Sequence, residues 1–432
     1  MRHVIIGNSA AAVGAIEAIR QHDTENGITV ISDEPHHTYS RPLVCHLLGE
    51  LVTEDQMAYR PADFYDRHQV ETMLGVRATG LDTQARTVAL AGGGSVAYDR
   101  LLIATGGKPF VPPTPGVDLE GVFTFTTWED ARDINRYIED QEVGSAMVIG
   151  GGLIGMKAIK ALTARSIPVT LVELADRILS ISFDRTASKL SEGILRRAGT
   201  EIYTETTAKE IVGKDGRVDH AILQDGSKIP CDLVIVAIGV RPNLDLILPE
   251  PEKKTGIRVN RGIIVDEHMR TSAADVYAAG DCVETHDLLL GASRPIAIWP
   301  HATRQGHVAG SNMADVEKTY QGGFPMNSVD VGGVPTISVG LTDPRENPEE
   351  YEIMEKYDRD ALTYRRLVLH HNRMVGAICV GDIDRAGIYT GLIRERVDVR
   401  PFKEHLLSGS FGLISLPKEY RKHMVVGDGI VV

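Results

Sequence analysis

The chain has 432 residues, too many for one hydrophobic core and suited to two or three domains. Hydrophobic residues make up 43% and charged residues 24%, the mean hydropathy is -0.09, and no uninterrupted apolar run approaches the roughly 18 residues that a membrane helix needs. A net charge of -13 without any lysine- or arginine-rich run repels nucleic acid and anionic membrane surfaces, so neither is expected as a partner.

The first strand begins almost at Met1, with His3-Val4-Ile5-Ile6, and no signal-peptide pattern comes before it, which predicts a cytoplasmic protein. This strand runs into Gly7-Asn8-Ser9 and a helix to about Gln21. A second strand, Ile28-Thr29-Val30-Ile31, ends at Asp33-Glu34. Strand, glycine turn, helix and strand form the opening of a dinucleotide-binding unit: the turn lets a pyrophosphate approach unpaired backbone N–H groups at the positive helix end. An acidic residue about 20 to 25 positions after the first glycine can accept from an adenosine ribose, which makes Asp33 and Glu34 the candidates.

Leu101-Leu102-Ile103-Ala104 reads as a further strand leading into Thr105-Gly106-Gly107, and the stiff stretch from Pro109 to Pro115 marks a domain boundary. A second glycine turn follows the strand Met147-Val148-Ile149. Here Gly150, Gly152 and Gly155, with Leu153 and Ile154 between them, meet the full G-x-G-x-x-G spacing, and Glu173 closes the next strand about 20 residues on. A carboxylate there accepts from both ribose hydroxyls and repels a 2'-phosphate, favouring NADH over NADPH, while nearby Arg177 would soften that preference. One such turn implies one dinucleotide; two imply a protein that brings two together, a flavin and a nicotinamide.

Leu233 to Ala237 is another apolar strand, entering Ile238-Gly239, and Val276-Tyr277-Ala278-Ala279 ends in Gly280-Asp281. From about Phe324 strand-like alternation resumes, at Val334 to Val339 and at Leu367 to Val380 with His371-Asn372-Arg373 as a turn, before a helical stretch from Arg385 to Arg396. The fold class is α/β: two Rossmann-like dinucleotide-binding domains and a C-terminal α+β interface domain. The division is 1–110 for the first part of the FAD domain, 111–244 for the NAD domain, 245–323 for the second part of the FAD domain, and 324–432 for the interface domain.

In this order the Gly7 turn, Tyr98 to Gly106, Gly150 to Gly155, Ala237 to Asn243 and Ala278 to Asp281 resemble the flavoproteins of the pyridine nucleotide-disulfide oxidoreductase superfamily over most of the first 310 residues. Tyr39-Ser40-Arg41-Pro42-Leu43 is similar to the branch that holds rubredoxin reductases, ferredoxin reductases and nitrite reductase flavoproteins. The resemblance implies that Gly7, Asn8 and Ser9 cradle the FAD pyrophosphate, that Arg41 neutralises its charge and that Pro42 stiffens the segment crossing the flavin. It also implies that Ala104, Thr105 and Gly106 lie close to FAD, with Gly239 in the matching motif of the second crossing. Gly280 permits close approach and Asp281 bonds the ribityl chain. Trp299-Pro300-His301 would precede a helix aimed at the flavin, its dipole favouring the reduced ring.

Departures from the family pattern are specific. Ser9 and Ala12 replace the second and third glycines of the first turn, though both are small enough to fit. The lysine and glutamate that relatives pair near the flavin fall here on His46 and Lys157, so Lys157 is a candidate for placing the nicotinamide and His46 a second catalytic candidate, against a solvated lysine as the bland alternative. The single catalytic cysteine of NADH oxidases and coenzyme A-disulfide reductases falls on Pro42, three positions before Cys45, so that branch's thiol chemistry does not transfer directly. Cys45, Cys231, Cys282 and Cys379 show no C-x-x-C spacing, which argues against a metal or a redox disulfide between sequence neighbours; all four read as buried packing, with Cys45 a minority catalytic candidate. His36-His37 and His370-His371 lack metal-ligand spacing and read as turn or surface residues, and His301 as a helix-cap contact or a proton donor.

These readings converge on an FAD-dependent enzyme that exchanges electrons between NADH and an iron-sulfur or rubredoxin-type protein or partner subunit. The flavoprotein subunit of a 2-oxoacid dehydrogenase such as phenylglyoxylate dehydrogenase is one setting. A homodimer or a place in a larger complex is expected. The competing readings are a single-cysteine NADH oxidase or coenzyme A-disulfide or persulfide reductase, and a nonenzymatic FAD-bound assembly subunit.

Overall fold

The computed structural model describes residues 1–248 and 255–417. By its contacts the chain divides into two compact units, the first made of Met1–Phe110, Thr126–Ala131 and Gly239–Phe324, the second of Val111–Phe125, Arg132–Ile238 and the chain from Pro325 on.

The first unit is built on a five-stranded parallel sheet in the order Val276–Ala278, Arg100–Ile103, Arg2–Ile6, Gly27–Ser32, Val70–Leu74. Its central strands carry near-continuous apolar side chains because both faces are covered. One covering layer is a helix pair, Ala10–His22 and Trp299–Met313, in which small residues bring the backbones together. A Cβ added to Gly306 would lie 2.0 Å from the Ala11 carbonyl oxygen, and one on Gly310 2.4 Å from that of Ala15. This contact sets where the start of the second helix falls.

The second unit repeats the design with a parallel sheet in the order Glu201–Tyr203, Val169–Val172, Ala146–Ile149, Leu233–Val236, Val122–Thr124. It also carries a five-stranded antiparallel sheet, ordered Met326–Val331, Val334–Gly340, Arg373–Val380, Thr363–His370, Tyr351–Asp358, against which the helix Ala386–Arg394 packs. The hairpin Thr363–Val380 turns at His371 and Asn372, both at positive φ (47° and 59°), which is the two-residue turn whose twist matches the flanking strands. Arg373, expected in the turn, already pairs with His370 in the ladder. Among the described residues no helix is long and apolar enough to cross a membrane.

Candidate functional site

In the first unit the Gly7 turn opens a cavity that is partly open to solvent. Gly7 sits at φ 116°, and a Cβ there would fall 2.1 Å from the Ala104 carbonyl oxygen, so only glycine lets the two crossing segments meet. Behind it the helix begins at Ala10, and its first intrahelical bond runs from the Val13 N–H to the Ser9 carbonyl. The N–H groups of Ala10 and Ala11 on the cavity wall are thus left for an anion.

Of the residues expected here, Gly7, Asn8, Ser9, Asp33, Glu34, Arg41, Ala104, Thr105, Gly106, Gly280, Asp281 and Trp299 line this one cavity. Ala12, Pro42, Gly239 and Pro300 do not. Ala12 is fully buried in the first helix, Gly239 turns at φ 121° and accepts from the Phe110 N–H, and Pro300 fills the second helical position, where no N–H is missed. The helix expected after Trp299-Pro300-His301 in fact starts at Trp299. It has no side-chain cap, and Ile298, Trp299 and Ala302 place its N-terminal turn on the wall.

The acidic pair splits its tasks. Glu34 accepts from the Tyr39 hydroxyl at 2.6 Å and from the Arg41 guanidinium, which also donates to the Thr126 carbonyl at 3.1 Å. Asp33 makes no side-chain hydrogen bond among the described residues and remains the open acceptor on the wall. Arg41 therefore reaches the cavity with its charge already met by Glu34. Burial pushes the Asp281 carboxyl up to about 6, partly offset by the Arg41 guanidinium.

Sequence reasoning missed Arg77, Thr126, Asn243 and Asp245 on the same wall. Thr105 donates to the Asn243 carbonyl at 2.8 Å, and Asn243 donates back to the Gly106 carbonyl at 2.8 Å, so the Arg241-Pro242-Asn243 motif held a signal. Arg77 is in a segment with no motif at all.

The second glycine turn lies wholly in the second unit. Gly150 has φ 109° and packs on Ala237, where a Cβ would be 2.6 Å from the carbonyl oxygen; Gly155 brings its helix to within 1.9 Å of the Gly150 oxygen by the same measure. Gly152 faces open space, as the glycine over which a pyrophosphate passes should. The helix Leu153–Ala164 makes its first bond from Met156 N–H to the Gly152 carbonyl, leaving the N–H groups of Leu153, Ile154 and Gly155 free of intrahelical partners. Glu173 accepts from the N–H groups of Gly151 at 2.5 Å and Ala175 at 2.7 Å. Arg177, expected to soften its preference, is already ion-paired within the second unit. Its guanidinium is buried and held by Asp176 at 2.8 Å and Asp343 at 2.9 Å.

Lys157 is half-buried on this helix and makes no ion pair among the described residues. His46 and Cys45 are on the short helix Val44–Leu48 and do not line the cavity; the Cys45 thiol donates to the Pro42 carbonyl and lies 3.3 Å from His46 Nδ1. Burial pushes the other thiols up, Cys282 and Cys379 to about 11 and Cys231 to about 12, so they stay protonated packing groups. His301 is buried, bonded through Nε2 to the Phe324 carbonyl and through Nδ1 to the Tyr320 hydroxyl, both at 2.9 Å, which makes it a structural tie. His36 is no surface residue either, since it stacks on Trp128 at 4.4 Å between centroids. Among the described residues no group of three or more His, Cys, Asp and Glu is placed to hold a metal.

Two anion-receptive helix starts, one in each unit, meet the demands of two dinucleotides. Residues 1–306 match the pyridine nucleotide-disulphide oxidoreductase family, and residues 325–397 match the rubredoxin NAD+ reductase C-terminal domain. The chain belongs to this oxidoreductase family. It is 32% identical to a nitrite reductase [NAD(P)H] of Bacillus subtilis over 92% of its length, and 31% identical over 94% to the epsilon subunit of an NADH-dependent phenylglyoxylate dehydrogenase of Aromatoleum evansii. It spans 47% of the first relative and 94% of the second. A solved NAD-dependent persulfide reductase from A. fulgidus superposes with a TM-score of 0.86 at 29% identity, over 95% of this chain and 80% of that one. The family is one of FAD-binding, NAD(P)H-dependent oxidoreductases.

Proposed function

We propose that the protein passes electrons between NADH and an iron-sulfur or rubredoxin-type protein, separate or as a neighbouring subunit. The observation that carries this reading is the pair of helix starts whose N–H groups have no intrahelical partner, Ala10 with Ala11 and Leu153 with Ile154, one in each unit and each with a nearby carboxylate, Asp33 and Glu173. In the first unit Gly7 admits the close crossing, Asp281 offers a carboxylate to the ribityl hydroxyls, and the helix from Trp299 turns its positive end to the wall. In the second, Gly152 leaves room for the pyrophosphate and Glu173 holds the ribose. FAD bound in the first cavity supplies the change from a hydride donor to one-electron acceptors.

The C-terminal match to rubredoxin reductases supports a small electron-transfer protein as the acceptor, and the similarity to the phenylglyoxylate dehydrogenase subunit supports a 2-oxoacid dehydrogenase complex as one setting, run towards NADH. A homodimer or a larger assembly goes with this reading. The test mixes the NADH-reduced, oxygen-free protein with rubredoxin, a [2Fe–2S] ferredoxin and coenzyme A persulfide in turn. Fast reoxidation by one of the two proteins is expected, and reoxidation by the persulfide alone would replace this reading. That second reading draws on the persulfide reductase likeness and on the Cys45–His46 contact.

A further inference from the structure

The turn after Glu173 is held from the C-terminal sheet. Residues 174–184 return to the glycine turn, where the Leu179 N–H donates to the Gly151 carbonyl at 2.8 Å. Leu179 is at φ 53°, a conformation that a leucine keeps only where its surroundings fix it. Three groups of the antiparallel sheet and its loops do so. Arg345 donates to the Ser180 carbonyl at 2.7 Å, the Tyr364 hydroxyl donates to the Asp184 carboxylate at 2.9 Å, and Asp343 accepts from Arg177 at 2.9 Å. Arg177 is only 7% exposed, so loss of Asp343 leaves the buried cation to Asp176, which belongs to the turn itself, and cuts its tie to the C-terminal sheet.

Glu173 is pinned by the N–H groups of Gly151 and Ala175, and these lie at the two ends of what the clamp holds. We infer that Arg177 and Asp343 are positioning residues for the nicotinamide coenzyme: their ion pair presses the 174–184 turn onto Gly151 and keeps the Glu173 carboxylate where the adenosine ribose needs it. The inference rests on the reading of the Gly150 turn and Glu173 as the coenzyme site. It assigns the C-terminal domain a part in coenzyme affinity that its fold alone does not suggest.

The test measures calorimetric affinity of the whole flavoprotein for ADP-ribose, which carries the adenosine half without the nicotinamide, alongside the KM for NADH and the rate of flavin reduction at saturation. Arg177→Met and Asp343→Asn should each weaken ADP-ribose binding and raise KM about tenfold, about 1.4 kcal/mol of binding, with the saturated rate near wild type. Arg177→Lys should recover most of the affinity. The control is Arg365→Met. Arg365 is equally buried on the same sheet and pairs with Asp382 at 2.6 Å, so its loss reports stability without touching the turn. Wild-type affinity in Arg177→Met and Asp343→Asn, or an equal loss in Arg365→Met, overturns the inference. If Arg177→Met does not fold, Asp343→Asn, which keeps the side-chain volume, decides alone. Failure of the wild-type protein to bind ADP-ribose would instead overturn the coenzyme site itself, and the inference with it.

Discussion

Asp281 makes the stability of the apoprotein depend on pH. Its carboxyl is held near 6 in the fold against 3.8 ordinarily, so the folded apoprotein keeps a proton that the unfolded chain releases. Between those values stability must fall as pH rises, and the penalty is complete above about 6. Urea unfolding of apoprotein at stepped pH should show Asp281→Asn gaining on the wild type from pH 4 to 6; parallel curves would contradict the assignment. Because the Cys45 thiol is buried against the Pro42 carbonyl and off the cavity wall, Cys45→Ser should leave turnover with a rubredoxin-type acceptor within about twofold of wild type, about 0.4 kcal/mol of transition-state stabilisation. Abolished turnover with intact flavin reduction would install the thiol reading. At this scale the sequence was legible where a backbone need selects one residue type, as at Gly7, Gly150 and Gly155. It was silent where a side chain's partner is remote in sequence. Arg41 and Arg177 looked like free cations, but Glu34 and Asp343 already hold them.

The helix pair decides whether the cavity has a floor. Gly14, Gly306 and Gly310 let Ala10–His22 and Trp299–Met313 approach so closely that any side chain would strike backbone, and that approach delivers the N-terminal turn at Trp299 to the cavity wall. Gly306→Ala places a methyl 2.0 Å from the Ala11 carbonyl oxygen. The overpacking should cost about 3 kcal/mol and lower Tm by roughly 5–10 °C, with FAD lost on gel filtration. Unchanged Tm and flavin content would show that the helices can separate at no cost. The strands and both glycine turns were readable from their apolar runs and spacing. The close helix contact was not, because small residues 292 positions apart, Gly14 and Gly306, carry no shared local pattern.

Across the molecule, the same strand–turn–helix device is used once in each unit, and the two copies differ in the residues around it. The first substitutes Ser9 and Ala12 for glycines and adds Arg41, Asp281 and a second helix start at Trp299; the second keeps all three glycines and places Glu173 on the backbone of Gly151. The two-coenzyme design was legible in the sequence from motif order alone. The C-terminal sheet's grip on the 174–184 turn was not, since it joins segments more than 150 residues apart through single ion pairs and hydrogen bonds. The most direct measurement is rapid mixing of the purified, oxygen-free protein with NADH while the absorbance of oxidised flavin is followed. The protein should be yellow, bleaching fast with NADH and much more slowly with NADPH. A colourless protein that FAD cannot reconstitute, or a yellow one that NADH leaves unbleached, would contradict this.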